Sequence, residues 1–179
     1  MAKHGVLFEV DNFIPRCINR GAISTTNLDG GAIVTVGAMS TTNNELYAVT
    51  APATTTVKKV AICYNPSVKY DEIGGNLYPA RSLDDRNYYN IAGRALDVFF
   101  PDPEVEFGIT MGNIEGTTKP TVGKFLEPTV NKNTYTIHNS QTANVPSFEV
   151  VEIRKATYPT GDFSSDVEDV FVVKTRFNG

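Results

Sequence analysis

Carboxylates are the densest chemical resource of this chain. Asp71-Glu72, Asp84-Asp85 and the group Asp162, Asp166, Glu168 and Asp169 bring acids close enough in sequence to act as general acids or as oxygen ligands for a hard cation. The run DFSSDVED lacks the alternating Asp/Asn ligands and the turn glycine of a calcium loop, so no metal is expected there. A glycosidase needs two carboxylates facing each other across a sugar. Such clefts commonly stack the sugar on an aromatic ring, and the chain has no Trp. His4 and His138 each lack a cysteine or second histidine at ligand spacing, and Cys17 and Cys63 form no C-x-x-C pair. The two cysteines read as small buried apolar residues. G-x-S-x-G, H-E-x-x-H, the P-loop and G-x-G-x-x-G are all absent from the sequence. The expectation is a protein that is not an enzyme, with no catalytic residues, no cofactor and no metal, in which the acids cap turns and solvate edges.

A second concentration of residue types is more informative. Tyr64, Tyr70, Tyr78, Tyr88 and Tyr89, five of the eight tyrosines, fall within residues 64–89, interleaved with Lys69, Arg81 and Arg86. Tyrosine and arginine offer large contact area with a polar handle, as protein interfaces require. The competing reading is that the rings cover the open end of a β core with their hydroxyls wet. The residues expected to make contacts are Phe8 and Phe13 in the N-terminal segment, which can add a strand to a partner's edge, and Tyr70, Tyr78, Arg81, Arg86, Tyr88 and Tyr89.

The elements that must position these residues are mainly strands. Apolar and β-branched runs recur at 4–10, 14–19, 32–36, 46–52, 58–66, 94–100, 105–110, 121–127, 134–138, 147–155 and 167–177, separated by Gly, Pro, Asn and Thr turns. The runs AIVTV and LYAVTAP read as an antiparallel hairpin that Pro52 ends. Along SFEVVEIRK, a wholly apolar face requires a bulge or a shifted pairing. The fold expected is all-β, an antiparallel β-sandwich or barrel of about ten short strands. One short helix is expected over 82–90, where Ser82 and Asp85 have capping-box-like spacing and Gly93 follows as a stop. Residues 1–110 and 147–179 form the main β domain in this reading. Residues 111–146, polar and turn-rich after the PDPE interruption, read as a β-hairpin insertion or subdomain.

Hydrophobic residues make up 41% of the chain and charged ones 20%, with a net charge of -4. That balance gives no signature for polyanions, so nucleic acid is not an expected partner. No apolar run approaches the roughly 18 residues of a membrane span, and the first residues do not form a secretory signal. Folding in a cytoplasm without membrane insertion is the expectation.

The order of four phrases carries a resemblance. LYAVTAPAT (46–54), VAICYNPSVKYDEIG (60–74), RNYYNIAGRALDVFFPDPEVEFGIT (86–110) and IEGTTKPTVGKFLEP (114–128) together resemble the capsid decoration, or cement, proteins of tailed bacteriophages. Tyr70-Asp71-Glu72, Ile91-Ala92-Gly93-Arg94-Ala95 and Lys119-Pro120-Thr121-Val122-Gly123 match the family's phrases, and Pro101-Asp102-Pro103 departs from its Gly-Asp turn. The resemblance implies a structural virion protein on the capsid exterior, assembled in the host bacterial cytoplasm. Its implied partners are the major capsid protein and copies of itself, as a trimer or another symmetric oligomer. The alternatives are a phage tail, baseplate or head-fibre component, a carbohydrate-binding β-sandwich using Tyr47 or Tyr135 as a platform, and a hydrolase with scattered carboxylates.

Overall fold

The structure, a computed structural model, describes residues 3–10, 18–54, 57–73, 75–79, 82, 84–161 and 164–179. Thirteen strands and no α-helix lie among these described residues, so the all-β expectation holds. Five of the strands, β2 (Ile18–Ser24), β3 (Ile33–Met39), β4 (Tyr47–Thr50), β5 (Ala61–Cys63) and β8 (Ala95–Phe100), close into a barrel. Their ring order is β2-β4-β3-β5-β8. Six more, β1 (Leu7–Glu9), β9 (Glu106–Thr110), β10 (Phe125–Pro128), β11 (Tyr135–His138), β12 (Ser147–Gly161) and β13 (Ser164–Phe177), form an antiparallel sheet. Its order is β1-β9-β13-β12-β10-β11. The remaining two, β6 (Tyr70–Ile73) and β7 (Asn76–Pro79), make a separate hairpin.

The expected pairing of AIVTV with LYAVTAP appears as β3 against β4. One pair departs from antiparallel: β2 runs parallel to β4. The cause is parity, because directions cannot alternate all the way round a ring with an odd number of strands. The break falls between β2 and β4, and the other four pairs are antiparallel.

Period-two alternation divides the barrel strands between two cores. Val34 of β3, Ala61 and Cys63 of β5, and Leu96 and Val98 of β8 fill the barrel with Ala22, Leu28, Ala32 and Val49. Their alternates Ile33, Ile62 and Phe99 join Phe107, Leu126, Tyr135, Phe148 and Phe171 from the sheet in a second, larger cluster. The barrel lumen is narrow, and four of its nine buried residues are Ala or Cys. Burial there pushes the Cys63 thiol well above its ordinary range; Cys17 lies outside the described residues. Phe99 of the barrel meets Phe107 of the sheet edge-to-face at 5.9 Å, and the ring series continues within the sheet from Phe107 to Phe148 at 5.5 Å and Phe148 to Tyr135 at 5.7 Å. Asn65 adds a polar stitch. Its Oδ1 accepts from the Leu7 N–H at 2.9 Å and its Nδ2 donates to the Leu7 carbonyl at 2.8 Å, tying β1 to the end of β5.

Three details differ from the sequence reading or complete it. Residues 111–146 contribute the β10–β11 hairpin to the edge of the six-stranded sheet, and Leu126 and Tyr135 lie in the shared core. The Tyr135 hydroxyl donates to the Gly31 carbonyl at 3.0 Å, so this stretch is also fastened to the barrel. In β12 the register shifts between Val150 and Glu152, the bulge that an apolar face along SFEVVEIRK requires. The helix expected over 82–90 is reduced to one 3-10 turn, Asp85–Asn87. Asp84, not Ser82, caps it, because the Asp84 carboxylate accepts from the Arg86 N–H at 3.0 Å.

Candidate interaction surface

Residues 64–94 leave the barrel at β5 and return to it at β8, and one buried cation organises the excursion. The backbone of the 3-10 turn is drawn in by side chains: Ser82 Oγ accepts from the Asp84 N–H at 3.1 Å and from Asn87 Nδ2 at 2.8 Å. This tight turn directs the Arg86 side chain inward, where the residue is 1% exposed. Its guanidinium grips Asp84 with two parallel bonds, Nε to Oδ1 at 2.9 Å and Nη2 to Oδ2 at 2.8 Å. Nη1 reaches the far end of the long β12–β13 ribbon, donating to Asp166 Oδ2 at 2.9 Å and Glu168 Oε2 at 3.3 Å. The plane lies 4.0 Å from the centroid of the Tyr158 ring. Lys3 pairs with Asp166 from the N-terminal side, and the His4 N–H donates to the Arg86 carbonyl at 2.8 Å.

These contacts set the charge states. Bonds to Lys3 and Arg86 hold the Asp166 carboxyl down at about 2. The Arg86 side-chain bonds hold Asp84 below the ordinary carboxylate range, and Asp84 with Asp166 and Glu168 pushes Arg86 still higher. Asp84, Asp166 and Arg86 are therefore ionised at neutral pH, and they clamp the segment to the ribbon.

Tyr88 forms a second anchor. It is buried, its hydroxyl accepts from the Ser82 N–H at 3.0 Å, and the Ser82 carbonyl and Asp71 Oδ1 lie 3.1 and 3.2 Å away as acceptors for its one proton. Burial raises its pKa. Lys69 pairs with Asp85 and sits over the Tyr88 ring. The exit is fixed by a two-way backbone bridge between Asn90 and Leu28, at 2.7 and 2.9 Å, and by Gly93 at φ 75°, whose N–H donates to the Ser24 carbonyl.

On this base stands the β6–β7 hairpin, which the sequence reading did not identify. Ile73 pairs with Asn76, and Gly75 in the tight turn between them takes φ 80°. The hairpin and the loop before it turn apolar side chains outward: Val68 is 57% exposed, Ile73 53%, Tyr78 42% and Leu77 36%. An open cavity of about 300 Å³ lies beside them, between Pro66, Val68, Tyr70, Tyr89 and Arg94. The Arg94 guanidinium covers the Tyr70 ring at 5.3 Å, and Tyr89 packs on the His4 ring at 4.7 Å.

The residues named from sequence thus separate into three groups. Arg86 and Tyr88 are buried and their polar groups are engaged within the chain, so neither presents a side chain to a partner. Tyr70, Tyr78 and Tyr89 line the surface or its cavity. Phe8, half-buried on edge strand β1, lies apart beside Tyr158 at 6.2 Å; Phe13 and Arg81 fall outside the described residues. Val68, Ile73 and Leu77 were missed. Their signal is present in the sequence as isolated apolar residues flanking a Gly-Gly pair, too short a run to build a core.

Among the described residues no group of three or more His, Cys, Asp or Glu side chains is placed to hold a metal ion, and no helix is long and apolar enough to cross a membrane. The class defined by the structure is an all-β protein in which a small closed barrel packs on a six-stranded sheet. No protein-family model, curated protein or solved structure matches the chain.

Proposed function

We propose that this chain is a structural virion protein that binds the outer surface of the major capsid protein shell of a tailed bacteriophage and stabilises the head. The reading starts from the order of phrases that resembles decoration proteins. The observation that carries it is the β6–β7 hairpin with the loop before it, which together expose Val68, Ile73, Leu77 and Tyr78 on a base clamped by Arg86. Exposed apolar side chains of this size on a short, anchored projection are suited to burial against another protein. A clamped base limits the ordering cost of that association, and many copies on one shell gain avidity from modest individual contacts.

The test is gradient co-sedimentation of the purified protein with empty expanded shells of the capsid protein, with unexpanded shells as control. Saturable co-migration at a fixed ratio to capsid subunits is expected on expanded shells, and its loss is expected for the double variant Ile73→Ser/Leu77→Ser. Migration with neither shell overturns the proposal and brings forward a tail or glycan-binding role.

A further inference from the structure

A separate cavity, at the β10–β11 edge of the six-stranded sheet, contains a buried carboxylate with one oxygen outside any hydrogen bond among the described residues. β10 and β11 pair so that Glu127 stands opposite Thr136 and Phe125 opposite His138, which places Glu127, Thr136 and His138 on the face away from the core. Residues 139–146 fold over that face and leave a cavity of about 470 Å³. Glu127 is 4% exposed. Its Oε1 accepts from the Thr142 N–H at 2.7 Å, and His138 Nε2 lies 3.7 Å from Oε2, beyond hydrogen-bond reach. Among the described residues no Lys or Arg nitrogen pairs with it. Thr129 and Thr136 share one hydrogen bond between their hydroxyls at 2.7 Å, so each oxygen keeps a lone pair for a further donor. Pro128, Val130 and Val145 supply an aliphatic wall.

We infer that this cavity binds an aliphatic ammonium group, with the nitrogen donating to Glu127 Oε2 and the threonine hydroxyls and its methylene stem lying along Pro128, Val130 and Val145. A carboxylate oxygen that faces a cavity without a donor among the described residues is an acceptor for a cation that enters, and a cation with several donors suits it. An ammonium carries three donors, which matches one carboxylate oxygen and two hydroxyls. An aliphatic wall suits a (CH₂)n stem, as lysine stems lie along apolar surface elsewhere. One carboxylate and one imidazole are too few ligands for a divalent metal. The same chemistry is offered by a lysine side chain of a partner protein and by a free diamine. The inference does not depend on the capsid reading, since it concerns a different face of the molecule.

The experiment titrates the whole protein with 1,5-diaminopentane, with the tripeptide acetyl-Gly-Lys-Gly-amide, and with uncharged 1,5-pentanediol, following the Thr142 amide and the His138 ring by NMR. Saturable shifts are expected for an amine, with a dissociation constant of about 1 mM or weaker, and none for the diol. Tighter binding of the tripeptide assigns the site to a partner's lysine; tighter binding of the diamine assigns it to a free ligand. Glu127→Gln keeps an acceptor for Thr142 and should weaken amine binding about tenfold or more. Thr136→Val, with a smaller loss expected, covers the case in which Glu127→Gln disturbs the loop. Absence of shifts with both amines, an equal response to the diol, or unchanged affinity in both variants overturns the inference.

Discussion

Within residues 64–94, two neighbouring regions reverse the usual allocation of residue types. Around the 3-10 turn a guanidinium and its Asp84 partner lie inside, with Arg86 at 1% exposure, while on the adjoining hairpin Ile73 stands 53% in solvent. Charge buried within a chain is stable only when every partner is in place, and it then fixes one geometry. Exposed apolar side chains add little to the stability of their own chain and keep their gain for association. The comparison teaches that one segment dense in tyrosine and arginine divides its work: Arg86 and Tyr88 hold the base, and Val68, Ile73, Leu77 and Tyr78 face outward.

The sharpest way to break this contrast is Arg86→Ala. It strands the buried Asp84 and takes a partner from Glu168 and from Asp166, which keeps Lys3, at the joint between the turn and the β12–β13 ribbon. A loss of about 3 kcal/mol in denaturant unfolding is expected, since removing one member of the buried Arg86–Asp84 pair leaves its partner uncompensated.

Acid addresses the same clamp more gently. Asp166 titrates at about 2 in the folded protein, below its unfolded value of roughly 3.9. Its contribution is therefore fully present above pH 4 and is lost as pH falls toward 2, and the lowered Asp84 acts in the same direction. The unfolding midpoint should fall between pH 5 and pH 2, and the fall should be smaller in Arg86→Ala. An equal slope in the variant would remove the clamp from the account.

Tyr88→Phe keeps the ring and removes the hydroxyl that accepts from the Ser82 N–H and faces Asp71. A loss of about 1 kcal/mol is expected, measured by thermal or urea unfolding. Ile73→Ser/Leu77→Ser lies at the other extreme: stability should stay within about 0.5 kcal/mol, because neither side chain is part of a core. Should this variant unfold substantially more easily, the hairpin would be a packing element instead of an adhesive one.

Much of the fold was legible in the chain because its cause is local. The runs RALDVFF, VEFGIT and TYTIH stand within a residue or so of β8, β9 and β11, since alternation and turn residues mark strands directly. The β6–β7 hairpin was not legible as strands, because Tyr70–Ile73 and Asn76–Pro79 are four residues each and half polar. The 82–90 helix was over-read for a related reason. Its capping signals describe a helix start, but no apolar stripe follows to hold more than one turn. At the candidate surface, tyrosine density located the segment, and nothing in the local pattern distinguished Arg86, which is buried, from Arg94, which is exposed.

What the sequence by itself determined is the all-β class and the division of each strand into two alternating faces. It also placed the turns that separate the strands. Only the tertiary structure decided which neighbour each face meets. Ile33 and Val34 are consecutive and both apolar, yet one packs on the sheet and the other fills the barrel, because β3 is a wall between two cores. Arg86 is likewise committed by acids 80 and 82 residues further along the chain, brought to it by the long β12–β13 ribbon. The physical reason is range: backbone periodicity is written in nearest neighbours, whereas burial depends on contacts that exist only once distant strands have paired.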